Sequence, residues 1–299
     1  MRRGTAGERL GYRRYEADGQ AAAWRRANLA FFCFIGLTVM IAAPAWRTMT
    51  ELWLYSSPYG HGLLAGPIAA LIALREARRP GAPLPRPWLA GYAPLSVAAA
   101  IWFVGVRVDA QLLQHAGLVA ALAAAAALVY GRELAVRCRF ALGFAFFMVP
   151  VGAGATPILQ TAAAAGADAL LNVIGVATSR AGHLLATDAG AFRVAPGCAG
   201  LGVVWACVMT AVLCGRYLLD RLAQRIALVA AAVCIAVAVN IARIAAVLAY
   251  AGVEGANAAF VEDHAAAGHV ALVPAIALVV AAAFAISTLS SARGRRYAG

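Results

Sequence analysis

The sequence predicts an all-α integral membrane protein of about eight transmembrane helices, with a short extracytoplasmic hairpin and an interfacial helix. Three features carry that prediction. The 299-residue chain is 63% hydrophobic and only 13% charged, with a mean hydropathy of +0.78. Several of its apolar runs approach the ~20 residues that an α-helix needs to cross a bilayer. Its 25 basic residues are all arginine, and they gather in the short segments between alternate apolar runs.

Taken in order, the apolar runs predict spans at 27–46, 61–75, 88–106, 116–131, 139–158, 198–215, 226–250 and 268–288. With the N-terminus cytoplasmic, twenty arginines fall in inner segments: seven between Arg2 and Arg26, four between Arg75 and Arg86, then Arg132, Arg137, Arg139, Arg216, Arg221, Arg225, Arg293, Arg295 and Arg296. Only Arg47, Arg107, Arg180, Arg193 and Arg243 lie at or near the outer face. Because short cytoplasmic loops carry the excess of Lys and Arg, this split puts both termini inside. The chain then divides into an Arg-rich cytoplasmic leader (1–26), a transmembrane domain (27–290) and a cytoplasmic tail (291–299). The first apolar run is longer than a signal-peptide core and lacks a small-x-small cleavage site before Arg47, so it reads as a retained helix. A net charge of +12 invites a nucleic-acid reading. No segment combines a basic patch with interleaved aromatics, however, and no nucleic-acid partner is expected.

Between the fifth and sixth spans, "ILQTAAAAGADALLNVIGVATSRAGHLL" places Asp168 and Asn172 in an apolar helical pattern, which suits an amphipathic helix lying along the outer interface. After it, the turn residues Asp188-Ala-Gly190 separate Leu184-Leu185 from Phe192-Val194 and predict a β-hairpin. Its exit, "RVAPGCAGLG", leads into the sixth span.

That exit carries the thiol of interest. Cys33 and Cys234 fall within spans and Cys138 is cytoplasmic. Cys207 and Cys214 lie about 13 and 24 Å further along the helix that Cys198 is expected to begin. Cys198 alone sits at the outer boundary, where no second cysteine is available for a disulfide. The simplest account of one cysteine is a small helix-starting residue. A helix N-terminus also offers unpaired N–H groups and positive partial charge, which favour thiolate. Gly197 and Gly200 are expected to let a substrate backbone approach the sulfur.

Two further polar groups belong at the same depth. Arg243 lies 18 residues, or about 27 Å of helix, beyond the inner Arg225, with Asn240 three residues earlier on the same face. An arginine within a span costs at least ~2.5 kcal/mol and so faces protein or water, or else snorkels to headgroups. The next outer segment supplies Glu262, Asp263, His264 and His269. Two histidines five apart do not fit a helical His-Glu-x-x-His site and no cysteine cluster adds ligands, so no metal and no cofactor are expected.

These residues resemble the exosortase/archaeosortase family of membrane-embedded, sortase-like cysteine transpeptidases, over roughly positions 50–290. "APGCAG" is similar to the family's Cys-Ser/Ala-Gly box, "NIAR" to its Asn-x-x-Arg box and "HAAAG" to its final His box. "YGHGLLAGPIAALIALREARR" resembles the Tyr-Ser-His-Gly-Phe-Leu signature, and "FAFFMVP" the Phe-x-x-Phe-x-x-Pro stretch. Ala199 and Gly60 stand where many relatives have serine, so hydroxyls at those positions are dispensable.

The resemblance implies Cys198 as nucleophile, Arg243 as the stabiliser of the oxyanion or substrate carbonyl, and His264 as general acid/base, while the position of His269 at the start of the apolar run suits an interfacial role. It also implies a substrate: an exported protein whose C-terminal signal joins a motif such as Pro-Glu-Pro, a transmembrane helix and a basic cluster. Cleavage at the outer face of a bacterial inner membrane, amid membrane lipids, would pass the acyl group to an acceptor or to water. Asn240 and His61 are candidates for substrate binding, although a water-satisfied boundary histidine accounts for His61 equally well. Two other readings are a transporter or channel that uses Arg243 and the histidines, and a non-catalytic assembly scaffold. The nearly pure Ala, Val, Leu and Ile composition of the span centres argues against a polar pathway. Oligomeric state is left open.

Overall fold

The computed structural model describes the backbone of residues 6–254 and 264–296, and side chains for 18–56, 58–254 and 270–290. Contacts divide the chain into two compact units, 1–54 with 62–151, and 55–61 with 152–299.

The first unit opens with α1 (Ala6–Ile41) and α2 (Ala43–Tyr55). The span expected to run on to 46 instead stops at Ile41. Pro44, in the first turn of α2, has no N–H to donate and its ring excludes the carbonyl four residues back. α2 was not anticipated, because 47–60 reads as an outer loop. It buries Ala45 and Met49 against Leu118 and Val119. The buried His115 shares a 2.9 Å hydrogen bond with Thr48.

Next come α3 (Gly62–Arg78), α4 (Tyr92–Arg107), α5 (Gln111–Tyr130), α6 (Arg132–Arg137) and α7 (Arg139–Phe144). Small residues let α4 and α5 close on each other: a Cβ on Gly117 would lie 2.5 Å from the Trp102 backbone nitrogen.

The second unit holds α8 (Thr156–Val173), β1 (Ser179–Ala181), β2 (Leu184–Thr187), β3 (Gly190–Arg193), α9 (Leu201–Leu218), α10 (Leu222–Glu254) and α11 (His264–Arg296). α8 buries Gln160, Ala163, Ala164, Ala167 and Leu171, the 3–4 spacing of an amphipathic helix. That stripe packs on Ile244, Ala245 and Leu248 of α10, while Asp168 and Asn172 stay on the other side. Asn172 Nδ2 donates to the Asp168 carbonyl (2.9 Å) and to Thr178 Oγ1 (2.8 Å), and the Thr178 hydroxyl donates to the Asp168 carboxylate.

The hairpin forms as expected, with β2 and β3 paired antiparallel and Leu184 opposite Arg193. β1 adds an unanticipated third strand, giving the order β1-β2-β3. The remaining helices join along a seam of small side chains, Cys207 and Ala211 of α9, Ala232 and Ala236 of α10, and Ala275 and Ala283 of α11. Close backbone approach through small residues is how helices associate where water supplies no hydrophobic drive.

Six helices among the described residues are long and apolar enough to cross a membrane, covering 18–41, 89–107, 111–130, 196–218, 222–254 and 270–290. Only 6% to 39% of each apolar window is buried inside the protein. Side chains such as Phe32, Met40, Leu71 and Phe284 face outward, which a lipid environment explains and water does not. The chain is an all-α multi-pass membrane protein. Two of the eight expected spans take another form. The run at 61–75 is the 17-residue α3 with Pro67 inside it. The run at 139–158 is broken into segments 139–148 and 153–173, bent by 60° and countable as a seventh span. Pro150 and the left-handed Gly152 (φ 94°) make the break.

Candidate functional site

The site is assembled within the second unit, where a thiol loop meets α10. β3 ends at Arg193, and the chain passes through Val194 and Ala195 into a single 3-10 turn, Pro196–Cys198. Cys198 therefore does not begin the helix, as its sequence position suggests. α9 starts at Leu201, and Gly200 forms the join with φ 88°. The Cys198 and Ala199 N–H groups are spent within the turn, donating to the Ala195 (2.8 Å) and Pro196 (3.2 Å) carbonyls.

α10 holds that turn from below through two adjacent polar residues. Asn240, 2% exposed, donates through Nδ2 to the Cys198 carbonyl at 3.0 Å. Arg243 Nη2 donates to the same carbonyl at 3.3 Å. Arg243 Nε and Nη2 also donate to Asn240 Oδ1, at 3.3 and 3.1 Å. The guanidinium and the amide form one network around the backbone of the cysteine. With both ends of the buried amide bonded, its hydrogen bonds offset the cost of taking it out of water. Gly200 completes the fit, since a Cβ there would stand 2.6 Å from Asn240 Cγ. Its missing side chain makes room for Asn240, a role different from the substrate approach expected of it.

Above the network lies a cavity of about 190 Å³ whose lining includes Cys198, Arg243, Arg193, Leu185, Phe192 and Val247. Among the described lining residues none is acidic. A thiol and two guanidinium-bearing residues thus border one largely apolar space. Neither Asn240 nor His61 lines it. His61 belongs to the turn ahead of α3 and stacks on Trp205 of α9, with ring centroids 5.9 Å apart at 22°. Its buried Nδ1 faces the Pro58 carbonyl without reaching hydrogen-bond geometry. His264 opens α11, but its side chain and that of His269 lie outside the described residues, as do Glu262 and Asp263. No metal-binding group of three or more His, Cys, Asp or Glu occurs among the described residues.

Gln160 was missed in the sequence. It is buried on α8, and its Nε2 donates to the Val194 carbonyl at 2.6 Å, anchoring the strand exit that becomes the cysteine turn. The signal was present, because Gln160 is a polar residue in an otherwise Ala-Leu stripe and the same reasoning singled out Asn240. The sequence marks Arg193 only as an outer charge. Its place on the cavity depends on the hairpin register.

Outward apolar helices and a cysteine-arginine pair on a common cavity define a multi-pass membrane protein with a thiol-lined candidate site. The family model described as transmembrane exosortase matches residues 46–281, and the chain belongs to that family. No curated protein and no solved structure gives a match. Membership carries a membrane transpeptidase-type role in general.

Proposed function

We propose that this exosortase is a cysteine transpeptidase or protease that cleaves the C-terminal sorting signals of exported proteins at the outer face of a bacterial inner membrane, with both termini cytoplasmic. The observation that carries the reading is the shared cavity of Cys198 and Arg243, with Asn240 bonded to the backbone of one and the side chain of the other. Counting α3 and the bent pair as spans gives eight crossings, with α8 as the outer limb of the bent one.

In this mechanism the Cys198 thiolate attacks a substrate carbonyl in the cavity. Arg243 stabilises the charge that develops on the carbonyl oxygen. His264 protonates the departing amine, and an acceptor nucleophile or water resolves the thioester. Asn240 acts as a positioning residue, since its buried amide is spent on Cys198 and Arg243. His61 on Trp205 is a candidate contact for the recognition motif. The substrate's transmembrane helix lies beside the bundle, and its basic end remains inside. The direct test is mass spectrometry of the enzyme recovered during turnover of a tail-bearing protein. A hydroxylamine-labile acyl group on Cys198 is expected, and turnover that proceeds with Cys198 never acylated would overturn the mechanism.

The two histidines are separable by the same substrate. His264 follows the acidic pair Glu262-Asp263 and is followed four residues later by Gly268, as the family box requires, whereas His269 enters the apolar run. His264→Ala is expected to remove turnover, and His269→Ala to keep most of it at equal membrane abundance. The opposite ranking transfers the acid/base role to His269.

A further inference from the structure

We propose that the free edge of β3 is a docking edge for an extended peptide segment, and that Arg193 reads an acidic side chain on it. The proposal deepens the transpeptidase reading by naming how the substrate is held.

The sheet order β1-β2-β3 leaves one side of β3 without a strand among the described residues. Val194 N–H donates to the His183 carbonyl of the neighbouring strand at 2.9 Å, which fixes the phase of the ladder. Antiparallel strands turn the N–H and C=O of successive residues to opposite sides. Those of Arg193 and Ala191 therefore face away from β2, and both residues are exposed. An unpaired edge is a template for another strand, and adding an extended peptide to one is a recurrent mode of recognition.

Position and charge identify the occupant. The edge runs directly toward the cysteine turn, and Phe192, Arg193 and Val194 border the same cavity as Cys198. A peptide paired to Arg193 and Ala191 is led along that cavity with alternate side chains turned to one face. The cavity wall is apolar except for Arg193 and Arg243 and has no acidic residue among the described ones. Its complement is an extended, mainly apolar segment carrying one carboxylate, for which a guanidinium is the best-matched donor. Arg243 is engaged with the Cys198 carbonyl and Asn240, whereas Arg193, on the strand itself, shares the peptide's register.

The test uses the full-length protein in phosphatidylcholine nanodiscs. The probes are tetrapeptide chloromethyl ketones with one Glu at successive positions, their Gln and Lys counterparts, and versions N-methylated at alternate amides. Alkylation of Cys198 is followed by mass spectrometry, and each rate is divided by that of iodoacetamide on the same variant. Glu at one position is expected to raise the relative rate about tenfold over Gln, the range of a charge-assisted hydrogen bond. N-methylation in one phase removes that gain, and in the other phase it does not. Ala191→Pro deletes an outward N–H while sparing the β2 pairing, and it lowers the relative rate of every peptide. Arg193→Glu reverses the preference for Glu over Lys. Equal relative rates across peptides and variants would overturn the docking edge while leaving Cys198 reactive. Failure of every reagent, iodoacetamide included, to alkylate Cys198 would overturn the nucleophile reading instead.

Discussion

Cys198→Ala is expected to leave processing of a tail-bearing protein undetectable, a loss of roughly 10⁴-fold or more, while the variant still inserts at normal abundance. The side chain packs beside the α8–α10 cluster without forming part of the helix seam, so removing one sulfur costs little packing. Cys207→Ala and Cys234→Ala supply the contrast. Cys207 is wholly buried in the seam of α9, α10 and α11, and Cys234 faces outward from α10. Neither borders the cavity, and both variants should keep most activity. In intact cells a membrane-impermeant maleimide should label Cys198 in the parent protein, and Cys138 only after permeabilisation. Processing by the Cys198→Ala protein removes the nucleophile, and labelling of Cys138 in intact cells reverses the orientation.

Gly200→Ala should be nearly as damaging, although it touches no reacting atom. Alanine at φ 88° costs about 1–2 kcal/mol. The added Cβ meets Asn240 Cγ at 2.6 Å, and overpacking of a buried site costs about 1–3 kcal/mol more. The relief available is for Asn240 to move, which releases the Cys198 carbonyl and the Arg243 side chain together. A displacement near 1 Å at a reacting group costs about 10²-fold in rate, and that is the loss expected at equal expression. Gly182→Ala is the matched control, because its φ is also left-handed (62°) while a Cβ there meets nothing within 4 Å. Comparison of the two turnover numbers decides the matter. Equal activity would mean that the network around Asn240 does not position the site.

The sequence made some of this legible through energetic cost. Asn240 and Arg243 stand out because polar groups are expensive within an apolar helix, and the hairpin stands out because Asp188-Ala-Gly190 supplies its turn. The buried stripe of α8 follows from spacing alone. Other features depend on contacts that no local pattern encodes. Gly200 and Asn240 are forty positions apart, so a glycine kept small for an amide looks the same as one kept small for a substrate. The three residues of β1, Ser179–Ala181, are all exposed and show no apolar alternation. α2 was hidden because its apolar residues are interleaved with Arg47, Thr48, Thr50 and Glu51. The break at Pro44 was the stronger clue.

The buried stripe of α10 repeats every four residues, through Leu228, Ala232, Ala236, Asn240, Ile244 and Leu248. Four residues turn the helix about 40° past a full revolution, so the buried face winds from the seam with α9 and α11 to the packing on α8, and the helix acts as a ruler of both depth and angle. Each residue advances the axis by 1.5 Å and turns it by about 100°. One residue inserted between Arg225 and Asn240 would keep the chain apolar and membrane-worthy, yet it would swing the amide and guanidinium off the face that meets the cysteine turn. Seven added residues would bring the angle back to within about 20° but lengthen the axis by about 10.5 Å, so no insertion restores depth and angle together. Its outward-facing positions can drift among Ala, Val and Leu, while its residue count is held as tightly as the identity of the site.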